Sequence, residues 1–379
     1  MSMVTGKIAK ENRIDSLQGI RAIAFLGIFL FHSGAAVFAA GGTWGVSVFL
    51  ILSGFLMVYS YYDSDRIDQH GFFYSIKFGI KKIMRLYPLH ITMLLLALPL
   101  LILKDQGLPL TERILDPAGK FVIDTALLQS WVPDNDIYFS LNGVSWYLST
   151  ALFLYMMFPL ILFFIKKYRG IKTAVIVILI TFGLQILLAF AAYLVQRNLI
   201  PKDDLIHWFV YIFPLSRLED FVIGCNLGYL FLQRKKTNGN GKKQGNLLEF
   251  SVIILTVIEW ILYVCLIGIP EKALSAENWA GLTVIWTMTS CALVYVFALQ
   301  KGILSRLLKS RPFVFLGNLS DSCFLIHLMV YTYLMVFEDI LFGKTAIVVN
   351  IILAFFITIA GSCLWKKIVG GIHNKRMKG

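Results

Sequence analysis

Residues 13–33 read RIDSLQGIRAIAFLGIFLFHS, an apolar stretch bracketed by two polar side chains that a membrane span does not tolerate without a purpose. Arg21 and His32 stand eleven positions apart, and everything between them is apolar. On an α-helix that spacing is roughly 16 Å of rise and about three turns, so both side chains project from one stripe. Ionisable groups inside a bilayer are costly, usually face a bundle interior and mark function. Taken singly, Arg21 also reads as a snorkelling anchor and His32 as a headgroup-layer residue. Their common face argues against two unrelated anchors.

The stretch is the first of about ten apolar runs, near 15–35, 43–62, 84–103, 144–165, 173–195, 208–232, 247–268, 280–299, 313–337 and 345–365. Each is long enough for a bilayer core of about 30 Å. A hydrophobic fraction of 58% with only 15% charged residues agrees with a polytopic membrane protein. Backbone polar groups must be satisfied within lipid, and runs this long and evenly apolar are not barrel strands. The expected fold is an all-α bundle of about ten transmembrane helices, one domain over residues 1–379.

The net charge of +13 resembles that of a nucleic-acid binder, but the cations cluster between apolar runs. With the N-terminus inside, 26 of the 35 Lys and Arg residues fall in inner segments and 7 in outer ones, with Arg21 and Arg217 inside runs. Under the positive-inside rule both termini are therefore expected to be cytoplasmic. No small-residue cleavage site follows the first run, which reads as an uncleaved span. No soluble domain is expected beyond the tenth run. Residues 233–246, QRKKTNGNGKKQGN, read as a flexible cytoplasmic linker between six spans and four. The one long outer segment, 105–143, contains FVIDTALLQSW, too short to span and read as re-entrant or interfacial. The five cysteines, none at metal spacing, read as packing residues, and no metal site is expected.

Within the second run, Gly45, Ser53 and Gly54 are small residues suited to close helix approach. Lys81, Lys82 and Arg85 precede Pro88 at a helix start and make a ready anion site, though positive-inside charge alone also explains them. Trp146 and Ser149 open the fourth run and suit either interfacial anchoring or a cavity lining. Arg217 and Asp220 are three apart on a helix and can pair. Glu259 is a lone acid within its run. Asp321 and His327, six apart, point to different faces of theirs.

Taken in order, LQGIRAIAFLGIFLFHS, GVSVFLILSGFLM, KKIMRLYP, GVSWYLSTALFLYMMFPL, RLEDFVIGCNLGYL and LGNLSDSCFLIHLMVY resemble the acyltransferase family 3 membrane proteins, over roughly Arg13 to Tyr331. These are bacterial enzymes that acylate, most often O-acetylate, cell-surface glycans and related acceptors. The family's Arg-x10-His pair falls on Arg21 and His32, its basic motif on Lys81, Lys82 and Arg85, and its later histidine on His327. Many relatives carry a glutamate after the Trp-Ser-Leu-Ser segment; here that position is Ala151.

The resemblance implies a cytoplasmic acyl-CoA donor, acetyl-CoA above all, and an acceptor hydroxyl reached from the outer face of a bacterial inner membrane. His32 is expected to act as general base or acyl-accepting nucleophile, with Arg21 on the same stripe. Lys81, Lys82 and Arg85 are expected to hold CoA phosphates, and Trp146, Ser149 and His327 to line the acceptor cavity. The competing reading is a transporter or flippase of a lipid-linked sugar, which polar residues inside a bundle would equally suit. No internal repeat supports it.

Overall fold

The computed structural model describes residues 13–64, 67, 71–104, 109–198, 203–235, 242–267, 283–341 and 347–376, and among them there is no strand. The apolar runs fold as helices because only an intrasegment hydrogen-bond ladder satisfies their backbone within lipid. In chain order these are α1 (Asp15–Phe31), α2 (Ala40–Tyr61), α3 (Phe72–Ile83), α4 (Tyr87–Lys104), α5 (Leu110–Thr125) and the single turn α6 (Asn135–Tyr138). There follow α7 (Trp146–Lys167), α8 (Ile171–Asn198), α9 (Asp203–His207) and α10 (Pro214–Lys235). The chain ends with α11 (Lys242–Ile267), α12 (Val284–Ala298), α13 (Ile303–Leu308), α14 (Arg311–Leu341) and α15 (Ile347–Arg376).

Six of these are long and apolar enough to cross a membrane: α2, α7, α8, α11, α14 and α15. The pair α3–α4, bent by 62°, adds a seventh if it counts as one span. Where ten spans were expected, the other three runs are helical but shorter or more polar: α1 has 17 residues, α12 has 15, and α10 carries Arg217, Glu219 and Asp220. Residues 236–241 of the expected linker lie outside the described residues.

Burial separates centre from rim. The apolar window of α2 is 89% buried, whereas those of α8 and α15 are 17% buried and turn their Ile, Leu and Phe side chains outward. In water such surfaces would be costly; against acyl chains they are in their own solvent.

Small residues set the central contacts. Gly54 of α2 lies against the Phe221 carbonyl of α10, and Gly224 of α10 lies against Ile51 of α2, so the two backbones touch with no side chain between them. Gly45 makes the same close approach to α1 at Ala24 and Ile28. Gly317 of α14 rests on the Gln18 carbonyl of α1. From that point the two helices run in the same direction: Gln18 meets Gly317, Arg21 meets Asp321, and His32 meets His327.

The segment from α5 to α7 folds partly inward. After α5 the chain turns at Leu127 (φ 55°), and Asp124, Gln129 and Ser130 are buried. His90 Nε2 donates to the Asp124 carbonyl at 2.9 Å, tying α4 to α5, and Ser140 Oγ donates to Asp124 Oδ2 at 3.2 Å. Within FVIDTALLQSW, Asp124, Leu127, Gln129 and Ser130 are thus buried against protein, while Val122, Leu128 and Trp131 stay exposed.

Candidate active site

Two cavities of the bundle border the residues singled out by the sequence. One, of about 480 Å³, is bordered by Arg21, Lys81, Lys82, Arg85, Tyr147, Ala151 and Asp321. The other, of about 510 Å³ and labelled the outer cavity for its distance from the basic cluster, is bordered by His32, Thr43, Trp146, His207, Tyr211 and Tyr263. Four cations thus meet on the first cavity, and Asp321 is the one carboxylate among its lining residues. Ala151, where the family resemblance leads one to look for an acid, borders this same cavity.

Local structure explains the cationic cluster. Lys81 and Lys82 end α3, where positive charge complements the helix C-terminus. Pro88 stands in the first turn of α4, where its missing N–H costs nothing. Between them the bend carries Arg85, whose Nη2 lies 2.5 Å from Asp321 Oδ2. Arg21 pairs with Asp321 Oδ1 through Nη2 and donates from Nε to Ser320 Oγ at 3.2 Å. One carboxylate therefore clasps arginines from α1 and from the α3–α4 bend. Lys82 Nζ lies 4.5 Å from the centre of the Tyr61 ring, a cation–π distance.

At the other end of α1 the hydrogen bonds assign the tautomer of His32. His327 Nδ1 lies 2.7 Å from the Phe324 carbonyl, and because a carbonyl only accepts, that nitrogen carries the hydrogen. A neutral His327 then presents a bare Nε2 to His32 Nδ1, 3.1 Å away. His32 Nδ1 also lies 2.9 Å from the Ile28 carbonyl, so it too is the protonated nitrogen. Both contacts leave His32 Nε2 with a free lone pair and no protein partner among the described residues. His32 borders the outer cavity, and His327 is fully buried behind it among Phe25, Phe29 and Phe324.

Arg21 and His32, on one helix, border different cavities, and Phe324 alone among the described residues lines both. Two sequence expectations change here. His327 lines neither cavity, because its ring is occupied with the Phe324 carbonyl and with His32. Ser149 also lines neither: its hydroxyl is buried, donates to the Leu127 carbonyl and lies 2.6 Å from Ser130 Oγ. Trp146 does border the outer cavity.

Sequence reasoning missed Asp321 as the partner of Arg21 and Arg85, since partners 300 and 236 residues away leave no local signal. It also missed His207, which lies in the outer-cavity wall with Nδ1 3.3 Å from the Tyr138 hydroxyl. Burial lowers the His207 pKa to about 4. Arg217 and Asp220 do pair, at 2.7 Å and fully buried, and Gln185, Thr287 and Ser47 add hydrogen bonds to the pair. Glu259 accepts from Thr289.

A helical membrane bundle with an ionised cleft at one end and a base-oriented histidine at the other has the parts for group transfer across a low-dielectric interior. The comparisons give the class. A family model described as an acyltransferase domain matches residues 14–365, and the chain belongs to that family, acyltransferase family 3; it is an O-acyltransferase of the membrane-embedded kind. Acyltransferase MdmB of Streptomyces mycarofaciens is 28% identical over 345 residues, covering 85% of this chain and 80% of MdmB. O-acetyltransferase OatA of Staphylococcus aureus is 23% identical over 342 residues, 85% of this chain and 51% of OatA, so the chain spans about half the length of that relative. No solved structure matches the chain significantly.

Proposed function

We propose that this chain moves an acetyl group from cytoplasmic acetyl-CoA to a hydroxyl of a cell-surface or exported glycan, within the inner membrane of a bacterial cell. The observation that carries the reading is the bare Nε2 of His32 facing one cavity while, eleven residues away on the same helix, Arg21 faces a cavity ringed by cations.

The cationic cavity fits a phosphorylated donor. Lys81, Lys82 and Arg85 lie on the side that the positive-inside rule assigns to the cytoplasm, and Arg85 is 72% exposed and free to turn from Asp321 toward phosphate. A pantetheine arm is of the same order of length as the ~16 Å between Arg21 and His32 along the helix. In the outer cavity His32 Nε2 takes the proton of the acceptor hydroxyl. The hydroxyl oxygen adds to the thioester carbonyl, the carbon–sulfur bond breaks, and CoA leaves as a thiolate that takes up the proton. His327 Nε2 accepts the Nδ1 hydrogen of His32 and steadies the imidazolium formed in between, as an acceptor behind a catalytic histidine does.

The test is purified protein in proteoliposomes with labelled acetyl-CoA, reading acyl transfer and CoA release, beside glycan analysis of a deletion strain and its parent. Loss of O-acetyl groups in the deletion supports the reading. An unchanged glycan together with no consumption of acetyl-CoA overturns it. Alanine at Lys81, Lys82 or Arg85 is expected to raise the donor KM with a smaller effect on kcat; an unchanged KM removes those residues from the donor site.

A further inference from the structure

The two cavities meet at one level of the bundle. On α1 the lining passes from the cationic cavity at Arg21 to the outer one at Ile28 and His32. On α2 it passes between Phe49 and Val46, and on α7 between Tyr147 and Trp146. On α14 Asp321 faces the cationic cavity and Leu328 the outer one, and Phe324 lies on the wall of both. Three rings close that level: Phe324 lies 5.2 Å from Tyr147 and 6.4 Å from Phe49, and those two lie 6.5 Å apart, all centre to centre. On its other side Phe324 lies 5.9 Å from the His327 ring.

We propose that Phe324 is the septum between donor and acceptor cavities, and that the length of acyl group delivered to His32 is set by its ring. The inference rests on the acyl-CoA reading above. With the donor's phosphates held at the cationic end, the acyl tip of an extended arm arrives at this level. A short acyl group lodges beside the ring with its carbonyl toward His32, while a longer chain must displace a side chain packed between two other aromatics. Rejection of an extra methylene by an apolar wall is worth about 10–200-fold. Phe324 is a specificity residue in this account, and it takes no part in proton transfer.

The experiment measures direct binding of acetyl-CoA, butyryl-CoA and hexanoyl-CoA to the purified full-length protein, for wild type, Phe324→Ala and Phe324→Leu. Wild type is expected to favour acetyl-CoA over hexanoyl-CoA by about tenfold or more. Phe324→Ala is expected to abolish or invert that preference, with Phe324→Leu between the two. If alanine prevents folding, the leucine variant reads the same ratio. Equal loss of affinity for all three donors, with the wild-type ratio kept, makes Phe324 a packing residue and overturns the proposal. Failure of wild type to bind any of the three instead overturns the donor reading on which the proposal rests, so the two failures are distinct.

Discussion

His32 depends on its neighbours for the state of its ring. The Ile28 carbonyl and His327 Nε2 both accept from Nδ1, and together they aim the bare Nε2 into the outer cavity. His32→Ala is expected to lower the transfer rate by at least 10²–10⁴-fold, the usual share of a general base, with membrane insertion intact. Transfer at the wild-type rate in that variant would remove His32 from the mechanism. Arg21 is held as tightly by geometry: its Nε and Nη2 address Ser320 and Asp321 at once. A lysine gathers its three donors on one nitrogen and lacks the rigid planar fork that addresses the two partners from separate nitrogens. Arg21→Lys is therefore expected to lose most activity despite keeping the charge, measured as kcat/KM for acetyl-CoA. Of these residues the sequence displays types and helical stripe. The clasp on Asp321 and the contact with His327 bring together residues 236 to 300 positions apart and have no local signature.

Between elements, the α1–α14 seam decides whether the site exists. Gly317 lets the α14 backbone rest on the Gln18 carbonyl, and the shared direction of the two helices brings Arg21 to Asp321 and His32 to His327. A Cβ at position 317 has no room there. Gly317→Ala is expected to cost about 1–3 kcal/mol, the usual range for overpacking, and to reduce transfer by separating both pairs. Thermal unfolding in detergent beside the transfer rate checks it; a stable, fully active variant would show that the seam has slack. On α10 the Arg217–Asp220 pair is fully buried, and removing one partner strands the other charge. Asp220→Ala is expected to destabilise by about 3–5 kcal/mol, read in the same unfolding assay. The glycines of α2 were legible as close-approach residues. Ser53 beside them instead borders the cationic cavity, a difference that pattern alone does not carry.

For the whole molecule, two groups outside the spanning helices titrate with opposite sign. The folded pKa of His207 lies near 4, below the ordinary 6.5, so the unfolded chain binds its proton more readily. Stability from this site is full above pH 6.5 and is lost as pH falls toward 4. Burial pushes Asp124 from 3.8 up to about 8, so its contribution is full below pH 3.8 and is lost as pH rises toward 8. His207→Asn is expected to flatten the acid limb of a stability–pH profile and Asp124→Asn the alkaline limb. Profiles in which neither limb moves would refute the assignments.

Much of the architecture was legible because a bilayer leaves few options. Long apolar runs must be helices, so the helical class, the placing of the runs and the clustering of cations between them follow from composition and order along the chain. The Arg21–His32 stripe follows from helical period alone. Only the tertiary structure decided what faces what: that Arg21 and His32 border different cavities, that Ser149 and His327 lie behind the walls, and that Asp321 is the acid on a cationic cleft bordered by Ala151. The reason is that the apolar pattern fixes a helix and its period, whereas the rotation of one helix against another is set by where small residues let backbones touch.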